Sequence, residues 1–249
     1  MRVLILGGSS EASALARALA GDARFAATLS LAGRTRAPML PPVPARIGGF
    51  GGVAGLALWL REQGTEAVVN ATHPFAARMA ANAVAACAET ATPLLHVLRP
   101  EWRAQPGDDW RVAADMASAA GLLGGVPRRV LLTVGRQDLA PFAAAPQHHY
   151  VIRSVDAPPD IALPPRAAVI SARGPFAEAE ERALLRAHAI DILVTKNAGG
   201  GATAAKLAAA RALGVPVVMV ARPPAAPGET VADVAAALAW LDGVRARRG

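Results

Sequence analysis

The feature that most constrains this chain is a rhythm. Short, unbroken apolar runs alternate with alanine-rich stretches of helical character along nearly the whole sequence. At residues 3–6, 67–70, 192–195 and 217–220 the apolar side chains are nearly continuous, whereas a strand with one wet face would alternate apolar with polar. Continuous apolar strands suit a parallel sheet with helices over both faces. The pattern predicts strands at 3–6, 26–31, 67–70 and 94–97 and helices at 11–20, 52–62 and 75–89. Strand and helix alternating at this spacing imply right-handed βαβ units and a doubly wound α/β fold.

The rhythm breaks where Arg99-Pro100-Glu101-Trp102 leads into Gly107-Asp108-Asp109, a polar stretch with Pro and Gly that suits a domain crossing. It then restarts, with strands expected at 130–134, 150–154, 168–171, 192–195 and 217–220 and helices at 178–187, 202–213 and 231–240. A length of 249 residues accommodates two such domains, expected over 1–98 and 99–249, both Rossmann-like with mainly parallel sheets. Folds of this kind bind ligands outside the carboxyl ends of their strands, so a cleft between the domains is the expected site. Residues 37–44, rich in proline, read as a surface loop.

Composition removes other classes. A chain that is 53% hydrophobic and 18% charged is too apolar for disorder. Its apolar runs fall well short of the ~20 residues a membrane helix needs. The lone Cys87 excludes an internal disulfide and a cysteine-rich metal site, and no metal is expected. Glycines and Glu11 interrupt the first apolar run too early for a signal-peptide core, so a soluble, cytoplasmic protein is expected. Lys plus Arg number 26 against 19 Asp plus Glu, giving +7, and only Lys196 and Lys206 are lysines. An arginine-rich surface fits a polyanionic partner: nucleic acid, a phosphorylated cofactor or a polycarboxylate. It also fits plain compositional bias. Scattered arginines and a single tyrosine, Tyr150, argue against nucleic acid.

The turn Leu6-Gly7-Gly8-Ser9-Ser10-Glu11-Ala12 joins the first strand to the first helix. Its glycines allow close approach of a phosphate, the helix start offers free amides, and Ser9 and Ser10 can cap or donate. It also reads as a tight, well-capped turn. Gly7, Gly8, Ser9, Ser10 and Glu11 are candidate cofactor-binding residues. The next strand end decides between coenzymes. NAD-binding folds hold the ribose with an acidic residue about 20 positions beyond the glycines. Here no Asp or Glu lies between Asp22 and Glu62, and the strand runs into Gly33-Arg34-Thr35-Arg36. A dinucleotide in this domain would therefore be NADP, with Arg34 on its 2′-phosphate; otherwise Arg34 is a solvated loop residue.

Gly48, Gly49, Gly51 and Gly52 crowd a second turn, either for close approach to cofactor or as a flexible loop. In Asn70-Ala71-Thr72-His73-Pro74-Phe75, Thr72 reads as an N-cap with Pro74 in the first turn. His73 either faces the cleft, to bind cofactor or move a proton, or is a structural hydrogen-bonder. In the second half, Gly135-Arg136 and Arg173-Gly174 each follow a strand, and both arginines are expected to point into the cleft. Lys196-Asn197-Ala198-Gly199-Gly200-Gly201 joins a buried strand to a helix and is expected to form an anion site, with Lys196 adding a point charge. Lys206 reads as a surface helix residue.

Together these segments resemble the precorrin-6A reductase family, NADPH-dependent enzymes of cobalamin (corrin) biosynthesis. The resemblance spans nearly the whole chain. It rests on Ile5-Leu6-Gly7-Gly8-Ser9-Ser10-Glu11-Ala12, Ala71-Thr72-His73-Pro74-Phe75-Ala76, Leu98-Arg99-Pro100-Glu101-Trp102, Gly135-Arg136 and Thr195-Lys196-Asn197-Ala198-Gly199-Gly200. The resemblance implies hydride transfer from NADPH to a contracted tetrapyrrole bearing acetate and propionate groups, turning precorrin-6A into precorrin-6B. It implies substrate contacts from Arg136, Arg173, Lys196, Asn197, Gly199 and Gly200, with Lys196 and His73 as candidate catalytic proton carriers. It implies no nucleic-acid or membrane partner and admits transient contact with neighbouring pathway enzymes. The alternative is a non-catalytic nucleotide-binding or regulatory module.

Overall fold

A computed structural model describes residues 1–33, 39–156 and 163–248. The chain runs β1 (Arg2–Leu6), α1 (Ser10–Leu19), β2 (Ala26–Leu31), β3 (Ala45–Ile47), α2 (Gly52–Glu62), β4 (Ala67–Asn70), α3 (Ala77–Thr90) and β5 (Leu94–Val97). It continues through β6 (Trp110–Ala113), α4 (Met116–Gly121), β7 (Arg129–Thr133), β8 (His149–Ser154), β9 (Ala167–Ser171) and α5 (Glu178–Ala187). Then follow β10 (Ile192–Lys196), α6 (Ala205–Leu213), β11 (Val217–Val220), β12 (Glu229–Val231) and α7 (Val234–Ala246).

Two compact units result: Met1–Pro100 with Pro223–Gly249, and Glu101–Arg222. The expected division into 1–98 and 99–249 is corrected at its far end. After Arg222 the chain returns to the first unit, where β12 pairs in parallel with β5 through Thr230 and His96, and α7 packs on α1, β4 and β5.

The first unit is a six-stranded sheet in the order β12-β5-β4-β1-β2-β3, every described pairing parallel. Counted from the other edge this is the Rossmann order, with the returning β12 in sixth place. Alternation along β1 shows why its run is unbroken. Val3 and Ile5 enter the core under α1 and α7, while Leu4 and Leu6 enter the core under α2 and α3. Cys87 lies in that second core, where burial pushes its thiol up to about 12.

The second unit is also a six-stranded parallel sheet, ordered β6-β11-β10-β7-β8-β9. Leu131, Val151, Leu193 and Met219 pack with Leu185 of α5 and Leu207 of α6 on one face. Three helices start later than the sequence suggests: α3 at Ala77, α6 at Ala205 and α7 at Val234. Residues 202–204 form a separate turn before α6, and Val231 ends a strand before α7 begins. Among the described residues no helix is long and apolar enough to cross a membrane.

Candidate functional site

In the first unit the strand order reverses between β1 and β4, and the two segments after these strands meet there. Ser9 makes the join. Its Oγ accepts from Ala12 N at 3.1 Å, capping α1, and donates to Ala71 O at 2.6 Å at the end of β4. With both roles taken, Ser9 builds the turn and does not offer its hydroxyl to a ligand. Gly7 packs closely on β2: a Cβ there would crowd the methyl ends of Leu29 and Leu31 and lie 3.2 Å from Ser30 O. Gly8 is required by conformation. It has φ 119°, and an added Cβ would project into open space, the cradle a ligand would fill. Among the described residues the amides of Gly8, Ser9 and Ser10 have no protein acceptor.

Glu11, in the first turn of α1, would repel a phosphate at that helix start. Arg99 offsets it through an Nη1–Oε2 pair of 2.5 Å. Burial raises the Glu11 carboxyl, but its own amide, the Arg99 charge and hydrogen bonds from Ser10 and Arg99 outweigh this and hold it below the ordinary value. Glu11 and Ser10 border an open cavity of about 430 Å³ that extends to Val234 at the start of α7.

Arg34 lies outside the described residues, as does the start of the expected loop at 37–44. Arg46, in the middle of β3, is a residue that the sequence alone does not single out. Arg46 Nη1 donates to Ser30 Oγ at 2.9 Å and to Gly48 O at 3.0 Å, and Nη2 donates to Gly49 O at 3.0 Å. Its guanidinium lies 3.8 Å from the Phe50 ring centroid, and burial pulls its pKa below the ordinary arginine value. Gly48 and Gly49 are therefore braced by Arg46. An arginine directly before a glycine cluster was the available signal.

Thr72 does not cap α3. The cap position is Ala76, with no side-chain hydrogen bond, and Thr72 Oγ1 donates to Asn70 Oδ1 at 2.8 Å. Asn70 is buried, and its amide lies 3.0 Å from Nδ1 of buried His96, whose Nε2 lies 3.3 Å from Pro227 O. These contacts fit a neutral ring protonated on Nε2. Burial holds the His96 imidazole below its ordinary range, partly countered by the Pro227 carbonyl. His73 Nδ1 accepts from Phe75 N at 3.2 Å.

In the second unit the order reverses between β7 and β10. Lys196, at the end of β10, donates to Asp138 Oδ2 at 2.6 Å, and the same oxygen accepts from Gly135 N at 3.0 Å. Arg136 sits in the same turn as Gly135 and Asp138. Arg173 is exposed and follows β9 at the sheet edge, separated from β7 by β8. The Asn197 side-chain amide accepts from Trp102 N at 2.8 Å and donates to Trp102 O at 3.1 Å, clamping that peptide. Lys206 is a correction to its reading as a surface residue: it is 3% exposed, with Nζ on Thr203 O at 2.6 Å. Gly199 and Gly200 take left-handed φ values of 66° and 76°. Among the described residues no cluster of three or more His, Cys, Asp or Glu is placed to hold a metal ion.

The sequence model of the family described as precorrin-6x reductase CbiJ/CobK matches residues 2–242. A precorrin-6A reductase of Rhodococcus erythropolis is 54% identical over 241 residues, covering 96% of this chain and 97% of the relative. One from Rhodobacter capsulatus is 50% identical over 241 residues, covering 96% and 95%. A solved structure described as CobK precorrin-6A reductase aligns with a TM-score of 0.93 at 48% identity, over 98% of this chain and 97% of that one.

Proposed function

The chain belongs to the precorrin-6x reductase family and reduces precorrin-6A in cobalamin biosynthesis; we propose that the reductant is NADPH, bound by the first unit. The observation that carries this is the turn after β1. At the switch point of a Rossmann-ordered sheet, Gly8 leaves an open cradle and the start of α1 presents amides with no protein acceptor among the described residues.

The amides of Gly8, Ser9 and Ser10 hold the pyrophosphate, while Gly7, whose own amide donates to Ser30 O, and the Ser9 hydroxyl fix the shape of the turn. Arg34 takes the 2′-phosphate, and Gly48 and Gly49, braced by Arg46, border it. The missing carboxylate after β2 removes the group that would repel that phosphate. Glu11 stays with Arg99. Thr72 and His73, presented by the end of β4, border the coenzyme at the same strand ends. When bound, the nicotinamide supplies the hydride, and the protein supplies position and charge. Arg136, Lys196 and the amides of Gly199 and Gly200 bind substrate carboxylates, with Arg173 reaching the periphery. Either Lys196, through its ammonium, or His73, when its ring is protonated, supplies the proton taken up by the reduced ring. The enzyme is soluble and cytoplasmic in this reading, and meets neighbouring pathway enzymes transiently.

Mixing the protein with NADPH and precorrin-6A should consume reduced-nicotinamide absorbance in step with precorrin-6B formation, and neither alone should do so. Coenzyme binding without consumption would return the non-catalytic nucleotide-binding alternative.

A further inference from the structure

The turn after β10 has little shape of its own. Three glycines follow one another there, and two sit in the left-handed region. Its conformation is imposed by side chains remote in sequence. Trp102 Nε1 donates to Gly200 O at 2.8 Å. Asn197 holds both polar groups of the Trp102 backbone. Arg222 donates from Nε to Asn197 O at 2.7 Å and from Nη2 to Ala198 O at 2.8 Å. Lys206, held on Thr203 O, lies 4.6 Å from the centre of a Trp102 ring.

These contacts have one geometric result. In a planar trans peptide the carbonyl and the following N–H point opposite ways. Drawing Ala198 O towards Arg222 turns the Gly199 N–H away from it. Drawing Gly200 O towards the indole turns the Gly201 N–H away likewise. Among the described residues the amides of Gly199, Gly200 and Gly201 have no protein acceptor. The same side chains that fix the turn thus aim its donors outward.

We infer that Trp102 is a positioning residue for substrate binding: its indole N–H holds the Gly200 carbonyl back so that the Gly201 amide faces a substrate carboxylate. Lys206 steadies the ring by a cation–π contact, and Arg222 does for Gly199 what Trp102 does for Gly201. This rests on the reading of the turn as a carboxylate site. It adds a determinant that touches no substrate, in a segment that otherwise reads only as a domain crossing.

The test is Trp102→Phe, which keeps an aromatic face for Lys206 and the backbone contacts with Asn197 but removes the N–H. Equilibrium titration with precorrin-6A alone should show Kd raised about ten-fold, the scale of one lost hydrogen bond. The saturated rate and the NADPH Kd should stay within about two-fold, since neither depends on Gly201. Arg136→Ala and Lys196→Ala, measured alongside, read the carboxylate site itself. If they weaken precorrin-6A binding and Trp102→Phe does not, the role of Trp102 is overturned and the site stands. If none of the three weakens it, the site reading fails as well. A Trp102→Phe protein that loses NADPH affinity and turnover together with thermal stability shows a merely structural ring and also overturns the inference. If Trp102→Phe does not fold, benzothienylalanine at 102, with sulfur in place of the N–H in the same shape, must give the same rise in Kd.

Discussion

Lys196 Nζ donates to Asp138 Oδ2 at 2.6 Å, joining the segments that leave the neighbouring strands β10 and β7. The side chains are 16% and 25% exposed, so the pair is largely withdrawn from solvent but still reachable. Gly135 N fixes the same carboxylate oxygen, and a Cβ at Gly135 would come within 2.8 Å of it. The cation therefore comes with a fixed direction and a partner already in place. In the proposed function, a substrate carboxylate would meet a cation already fixed in direction by Asp138.

Removing that cation tests the arrangement. Lys196→Ala should lower kcat/KM for precorrin-6A by about 10–100-fold, the range for losing a charged hydrogen bond. NADPH affinity should change little, because Lys196 belongs to the second unit. Steady-state kinetics with each ligand varied in turn would show it, and wild-type values would remove Lys196 from the site.

Stability should fall as acid reaches the buried histidines. His96, between Asn70 and Pro227, is held below the ordinary 6.5 by burial, and buried His148 is lowered by the same cause with help from Arg128. The unfolded chain takes up these protons near 6.5 and the folded chain only at lower pH. Stability is therefore fully present above 6.5 and lost as pH falls from there through the lowered folded values. Thermal unfolding midpoints stepped down through this window should drop, and His96→Gln should flatten part of the drop. Identical slopes in the two proteins would show that His96 does not titrate in this way.

Gly55→Ala should damage the loop that Arg46 braces. A Cβ at Gly55 would lie 1.7 Å from Phe50 O, so the backbone of the glycine cluster has to move. A loss of about 2–4 kcal/mol is expected in chemical denaturation, as for other forced backbone shifts. A variant as stable as the wild type would mean the loop yields freely.

Most of both sheets is legible in the sequence because their inner strands are buried on two faces. Leu4, Val68, Leu131, Val194 and Val218 are fully buried, and such positions must be apolar whatever the neighbours. The strands that escaped notice, β3, β6 and β12, all lie at sheet edges. Arg46 in β3 and Glu229 and Thr230 in β12 break any apolar run, since an edge strand needs less burial. The return of β12 and α7 to the first unit is hidden because β12 is only three residues long and mostly exposed, while the apolar face of α7 would suit the core of either unit. Glycine turns show themselves by composition, so the turns at Gly7–Gly8 and Gly199–Gly200 are legible in the sequence. Which polar side chains are spent on the protein itself is a matter of distance. Ser9, Asn197 and Lys206 look available in the sequence and are engaged in the fold.

The central claim is that the first unit grips the 2′-phosphate of NADPH with Arg34, and calorimetric titration with NADPH and NADH tests it most directly. The account predicts that NADPH binds about 100-fold more tightly, the scale of a guanidinium–phosphate contact, and that Arg34→Ala abolishes most of that advantage while leaving NADH unchanged. Equal affinity for the two coenzymes in the wild type, or no binding of either, would contradict it.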